Sequence, residues 1–396
     1  MENRDIIVVG IQSWDIKIGS NCKNIASVFA RKNRVLYVNS PLSRMTAIKE
    51  KELAKQYKDS KNVNIKEVSN NLWVLYPRKI IESISSLSIN IVFDLLNKRN
   101  NRIFAKEIKK AIKELNFSNY IIFCDSDMFR SFYLKELLKP EIYIYYTRDN
   151  LLAIKFWQTQ GCRIEPIHMA KADLVLANST YLAQIAKKHN NKSYFVGQGC
   201  DLSAFKKENI HSVPADISDI PKPIIGYIGT LVTLRLDINL IKFIATSKPD
   251  WNVVLVGPED EDFLASDLHQ LKNVWFLGAK AEKELPAYLN TFSVAINPQI
   301  FSELTIGNYP RKIDEYLAMG KPTVASKTEA MSYFKDFVSL AENNEEWVKC
   351  IESEIKNNTA EKEQERIKFA GEHTWENNVN EIYKRIEEYK LMKKIK

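Results

Sequence analysis

Short, uninterrupted apolar runs alternate with segments of helical spacing along most of the chain. Asp5–Gly10 (DIIVVG) is a β-branched run closed by glycine, and Arg34–Asn39, Leu72–Tyr76, Asn119–Cys124, Glu141–Tyr146 and Asp173–Ala177 are of the same type. Between them, Asn24–Lys32 places Ile25, Val28 and Phe29 on one side, and Asn101–Leu115, Ile164–Lys171 and Thr180–His189 read as helices. Strands without polar alternation are buried on both faces, so this pattern predicts a parallel sheet between two helical layers. A second series begins at Ile224: strands over Ile224–Ile228, Trp251–Val256, Val274–Leu277, Ser293–Asn297 and Pro322–Ser326, with helices over Asp237–Ser247, Glu282–Asn290 and Pro310–Ala318. Pro214, Pro221 and Pro223 punctuate the boundary between the series. The expected architecture is α/β, with two doubly wound Rossmann-like domains over 1–205 and 224–375. A linker is expected over 206–223, and a charged C-terminal helix over 376–396, for which a return to the first domain is one open course.

The 396 residues are ample for two cores. The longest apolar runs fall far short of the roughly 18 residues of a spanning helix. Met-Glu-Asn-Arg-Asp at the N-terminus lacks the basic and long apolar regions of a signal peptide. Five cysteines, at 22, 124, 162, 200 and 350, form no C-x-x-C, so a reduced, cytoplasmic chain is expected. The five histidines never fall at metal-ligand spacing, and no metal site is expected.

Charge sharpens the picture. Residues 1–205 carry 32 Lys and Arg against 19 Asp and Glu, a net +13, whereas residues 206–396 carry 25 against 30, a net −5. Such asymmetry points to a basic face on the first domain, or, more plainly, to a solvated surface. Arg102, Lys106, Lys109, Lys110 and Lys113 share one helix face, with Ile103, Ile108, Ala111, Ile112 and Leu115 on another. Together with the basic stretch Arg44–Lys66, this is the pattern of a helix resting on an anionic membrane surface or guiding a lipid pyrophosphate. Aromatic residues do not interleave these charges, so nucleic acid is not the expected partner.

Two doubly wound domains place ligands at the C-terminal ends of their strands. G-x-G-x-x-G follows no strand, and Lys312 is not in a G-x-x-x-x-G-K-[ST] loop, which argues against dinucleotide and P-loop enzymes. Gly226-Tyr-Ile-Gly-Thr-Leu231 instead ends a strand at Gly229-Thr230, where a backbone without Cβ can approach a phosphate. In Asn308–Val324, Pro310 suits a first helical turn, Lys312 falls in that turn and Glu315 follows one turn on, with Gly320 and Pro322 ending the helix. A phosphate on Lys312 and a sugar or ribose hydroxyl on Glu315 would satisfy both groups. A capped surface helix with a Lys–Glu pair is the alternative.

Gly226–Leu231, Pro249–Pro258, Asn273–Gly278, Glu303-Leu-Thr305 and Asn308-Tyr-Pro-Arg-Lys-Ile-Asp-Glu315 follow one another, as do Trp14-Asp15, Tyr145-Tyr-Thr-Arg-Asp149 and Gly197–Phe205 in the first half. Through these strings the chain resembles the GT-B glycosyltransferases of the family-4-like group, in its polysaccharide-assembly branch. The resemblance implies transfer of a sugar from a UDP- or GDP-linked donor to a glycan or lipid-linked acceptor, without a cofactor or metal and with a retaining outcome. It implies Gly229, Thr230, Arg235, Gly257, Thr305, Asn308, Lys312 and Glu315 on the donor side, and Asp15, Gly19 and Ser20 on the acceptor side. Relatives often carry a glutamate eight residues before Glu315, where this chain has Gly307. A nucleotide-sugar epimerase on the same fold and a non-catalytic binding subunit are the alternatives.

Two first-half motifs carry candidate chemistry. Asp125-Ser-Asp127 spells D-x-D, but alternate carboxylates on an extended chain point apart and do not share an ion. Asp149, just past a strand, reads equally as a general base or acceptor orienter and as a cap for Leu151–Gln158.

Overall fold

The computed structural model describes residues 1–16, 19–51 and 65–395. The chain forms two compact units, Met1–Gly197 with Asn378–Lys396, and Gln198–Asn377.

The first unit is built on β1 (Asp5–Gly10), β2 (Arg34–Val38), β3 (Ile65–Ser69), β4 (Leu72–Leu75), β5 (Ile121–Asp125), β6 (Ile142–Thr147), β7 (Leu174–Ala177) and β8 (Ser193–Phe195). Their order is β3-β4-β2-β1-β5-β6-β7-β8, parallel except for the antiparallel β3–β4 pair. The strands predicted from uninterrupted apolar runs are the inner ones, where every residue of β1, β5 and β6 is buried. β3 went unpredicted because an edge strand needs no such run, and its middle residues Lys66 and Glu67 face water. Strand order reverses between β1 and β5, which sets Gly10 beside Asp125 at the C-terminal edge.

Helix α1 (Asn21–Ala30) buries Ile25 and Phe29 against this sheet. Helix α2 (Asn90–Glu114) begins eleven residues before the segment expected from Asn101. The polar run Asn97–Asn101 hid it, because asparagine is a weak helix former. Here the asparagines are buried and bind loops: Asn100 exchanges hydrogen bonds with the backbone of Glu82, and Asn101 donates to the carbonyl of Phe129 and accepts from the amide of Tyr133. Helix α3 (Lys155–Lys171) runs unbroken through Pro166, joining two segments that the pattern had separated.

The second unit carries β9 (Ile224–Ile228), β10 (Asn252–Val256), β11 (Val274–Gly278), β12 (Val294–Asn297), β13 (Thr323–Ser326) and β14 (Ser339–Ala341), all parallel, in the order β11-β10-β9-β12-β13-β14. Order reverses between β9 and β12, and helix α4 (Lys312–Ala318) packs near that reversal. Residues 206–223, expected as a linker, belong to this unit: Ile217 and Ile220 join its core, and Asn252 donates to the carbonyl of Pro221. The division falls at Gly197 rather than after Phe205, whose ring is buried in the same core. The segments entering and leaving the unit lie side by side, with the amide of Cys200 donating to the carbonyl of His373.

Helix α5 (Trp375–Ile395) carries the chain back to the first unit. Asn378 donates to the carbonyls of Val196 and Gly197, Tyr383 accepts from Asn33 and stacks on Phe29 at 5.5 Å, and Tyr389 donates to Asp173. Among the described residues no helix is long and apolar enough to cross a membrane. Tyr383→Ala removes this stack and leaves Asn33 one partner short. It is expected to cost about 3 kcal/mol, lowering the urea midpoint of the first unit's transition and leaving the second unit's unchanged.

Candidate functional site

β9 ends at Ile228, and the chain turns at Gly229, whose amide donates to the carbonyl of Val256 at 2.9 Å. Gly229 has φ 143° and Gly257, at the end of β10, has φ 154°. A Cβ on Gly257 would run into the Gly229 carbonyl, and one on Gly229 would lie 2.5 Å from Nζ of Lys312. Only glycine meets both the backbone and the space requirements here. The loop beyond is pinned, since the amide of Leu231 donates to Pro258 and the Asp260 carboxylate accepts from the amides of Thr233 and Phe263.

Lys312 is the first residue of α4 and reaches across this strand tip. Its Nζ lies 3.8 Å from the ring centroid of Tyr227 and donates to the Tyr227 hydroxyl. It does not pair with Glu315, so the surface-pair alternative is not what is built. Burial, reinforced by the nearby Arg235 charge, pushes its ammonium down to about 7 against the pull of Glu315. Burial likewise raises the Glu315 carboxyl, opposed by Arg311 and Lys312. The site therefore holds a half-buried cation short of an anion and, one turn on, a carboxyl short of donors. The helix has seven residues and starts two later than expected, so the lysine itself, rather than a long helix dipole, supplies the positive potential.

Side chains that the sequence reading passed over hold α4 in place. The Tyr316 hydroxyl accepts from the amide of Ile228 at 3.0 Å, fixing the helix to the strand that ends at Gly229. Asp314 is fully buried; its Oδ1 lies 2.6 Å from Nδ1 of His373 and accepts from Tyr309, while Nε2 of His373 meets the Tyr333 hydroxyl at 3.0 Å. Asn297, buried at the end of β12, has no partner for either amide atom among the described residues. Its only sequence signal was its place at a strand end.

Other donor-side candidates separate by geometry. Thr230 and Arg235 are exposed, and the Arg235 carbonyl accepts from the amide of Ile300, joining the loops after β9 and β12. Asn308 is half-buried, its amide on the carbonyl of Thr305. Thr305 is fully buried, and its hydroxyl donates to the carbonyl of Ile300 and accepts from the amide of Ser302. It braces the loop.

In the first unit, the D-x-D carboxylates are claimed by different arginines. Asp125 accepts from Nε of Arg148 at 2.9 Å, and Asp127 from the amide and Nε of Arg130. Among the described residues no group of three or more His, Cys, Asp or Glu could hold a metal ion. Asp149 is half-buried and bound to Arg148 at 2.9 Å, and α3 begins only at Lys155, so Asp149 does not cap that helix. Asp15 is exposed and accepts from the Tyr76 hydroxyl. Gly19 precedes Ser20, which stands buried at the start of α1 without making a cap hydrogen bond. Arg102, Lys106, Lys109, Lys110 and Lys113 are all exposed on α2. Most of Arg44–Lys66, residues 52–64, lies outside the described residues.

A strand-tip glycine pair, a charge-starved lysine and a following glutamate come together as a candidate site at the C-terminal edge of a doubly wound domain. Residues 222–357, which contain it, match the family model Glycosyl transferases group 1. A Bacillus subtilis (strain 168) protein named “Putative teichuronic acid biosynthesis glycosyltransferase TuaH” is 29% identical over 168 residues, 41% of this chain and 42% of that protein, so the similarity spans less than half of the relative's length. The structure of Anabaena Alr3699/HepE in complex with UDP has a TM-score of 0.67 at 16% identity, covering 97% of this chain and 100% of that one. The alpha,alpha-trehalose 6-phosphate synthase from Burkholderia multivorans gives 0.70 at 10% identity, covering 100% and 98%. At these identities the likeness is one of fold, and the fold is GT-B.

A diphosphate bound at Lys312 would restore its charge, so binding above pH 7 takes up a proton. At pH 8, from a free-state value of about 7, uptake should approach about 0.9 proton. Affinity should fall as pH rises from 7 to 9. Calorimetry with inorganic pyrophosphate in buffers of different ionisation heat reads both, and Lys312→Arg should abolish the proton uptake.

Proposed function

We propose that this chain is a glycosyltransferase that moves a sugar from a nucleotide diphosphate donor to a glycan or lipid-linked acceptor in cell-surface polysaccharide assembly. The observation that carries the proposal is Lys312 poised across the Gly229 strand tip, with Glu315 one turn on, inside the stretch that matches Glycosyl transferases group 1. The UDP complex of the Anabaena protein and the teichuronic acid biosynthesis in the Bacillus relative's name support a UDP-linked donor and a cell-surface product.

In this reading Lys312 and the backbone around Gly229-Thr230 meet the charge that develops on the departing diphosphate. Glu315 accepts hydrogen bonds from ribose hydroxyls. In the first unit, the Arg148 pairing fixes Asp149 in position, which suits holding an acceptor hydroxyl and agrees with a retaining, base-free transfer. This reading calls on no metal at the D-x-D stretch, where Asp125 is bound to Arg148 and Asp127 to Arg130.

UDP should raise the melting temperature, and Lys312→Ala should weaken UDP binding by about 1.5–3 kcal/mol, the value of a hydrogen bond to a charged group. Transfer and slow donor hydrolysis should both survive EDTA. A donor that is isomerised rather than transferred would identify an epimerase. Binding with neither reaction would identify a non-catalytic subunit.

The exposed cations of α2 fit a chain that works peripherally at the inner, anionic face of the cell membrane. Each Lys or Arg near such a surface contributes about 1 kcal/mol, screened by salt. Replacing Lys106, Lys109, Lys110 and Lys113 by Gln should lower co-sedimentation with anionic vesicles at low salt while leaving UDP binding intact.

A further inference from the structure

Helix α2 also displays apolar surface. Its outward face is cationic from Lys98 to Lys113, but the turn before is not: Ile91 is 73% exposed, Leu95 67% and Ile89, just ahead of the helix, 64%. The start of α3 adds Ile154 and Phe156, the latter 56% exposed. These two helix ends lie together. Gln160 donates to the carbonyl of Leu87 and to Asn90, and Arg163 grips Asp94 at 2.7 Å. The pairings advance in the same sense along both helices, with Gln160 opposite Asn90 and Arg163 opposite Asp94, so the first turn of α2 lies beside the second turn of α3. Beneath them Phe93, Phe129 and Ile164 form a buried cluster, joined by the half-buried Trp157. The exposed side chains therefore stand on a packed base. α3 begins six residues after Asp149, beyond the short 3-10 turn Leu151–Ala153, which places this apolar end near the sheet edge bearing the acceptor candidates.

An isolated apolar residue on a surface needs no explanation, but a cluster of this kind does. Its chemistry is layered, with large apolar groups at one end of an exposed helix face and cations along the rest. An anionic bilayer has the matching layers, hydrocarbon beneath phosphate. A second copy docked symmetrically through this face would set the cationic rows near each other and be opposed by repulsion.

We propose that the shared end of α2 and α3 inserts into the acyl boundary of an anionic membrane, with Lys98–Lys113 at the headgroups, so that the Asp149 edge meets a lipid-linked acceptor. The proposal rests on the reading of the acceptor as lipid-linked. It differs from charge attraction alone, because salt does not screen the apolar contribution.

The test uses the full chain and vesicles of phosphatidylcholine with or without phosphatidylglycerol. Wild type should retain measurable binding to the anionic vesicles in 0.5 M salt. The triple change Ile91→Ser, Leu95→Ser and Phe156→Ser should lower partitioning at least about tenfold at both low and high salt, with circular dichroism and UDP binding unchanged. An environment-sensitive dye at Phe156→Cys, in a Cys162→Ser background, should shift to the blue on anionic vesicles. Unaltered partitioning of the triple variant, or no spectral shift, overturns the insertion while leaving the sugar-transfer reading to be judged by UDP binding. A concentration-dependent dimer in sedimentation that the triple change abolishes would make the face a contact between copies and also overturn it.

Discussion

Lys312 can lie across the tip of β9 only because Gly229 presents no side chain, and Gly229 can turn there only because Gly257 presents none either. That double vacancy is the constraint on which the second unit's C-terminal edge is built. It admits a cation to a place where water is partly excluded, and the surroundings then withhold compensation. The partner supplied is a tyrosine hydroxyl and ring, which orient the ammonium without neutralising it. The rest of α4 is committed to keeping the lysine there, through Tyr316 on the backbone of Ile228 and the Asp314–His373 contact.

The first unit handles its buried charge in the opposite way. Arg148 stands at a comparable strand end, yet two carboxylates, Asp125 and Asp149, close on it. A fully compensated arginine fixes geometry, whereas an uncompensated lysine attracts an anion. The two sheets share a plan, and they differ in how the charge at their strand ends is compensated.

Much of this was legible in the sequence. Inner strands declare themselves because both faces are buried, and Lys312 and Glu315 because their spacing is fixed by a helix. Two of the edge strands were not legible: β14 has three residues, and β3 turns charged side chains to water. The first turns of α2 were hidden because Asn100 and Asn101 serve loops distant in sequence, a role that propensity does not register. Tyr227 and His373 reach α4 across separations of 85 and 59 residues, and no local spacing records such contacts. The internal bonding of Thr305 was not legible either, because a hydroxyl in a loop serves the loop's own carbonyls as readily as a ligand.

The return of the chain to the first unit has a consequence for its synthesis. The second unit is spliced between Gly197 and Asn378, so the ribosome completes the inserted body before the one that surrounds it. Phe29, made early, keeps one ring face bare until Tyr383 emerges from the exit tunnel. A nascent chain released short of α5 would carry a finished inserted unit beside a first unit whose α1 face is still uncovered.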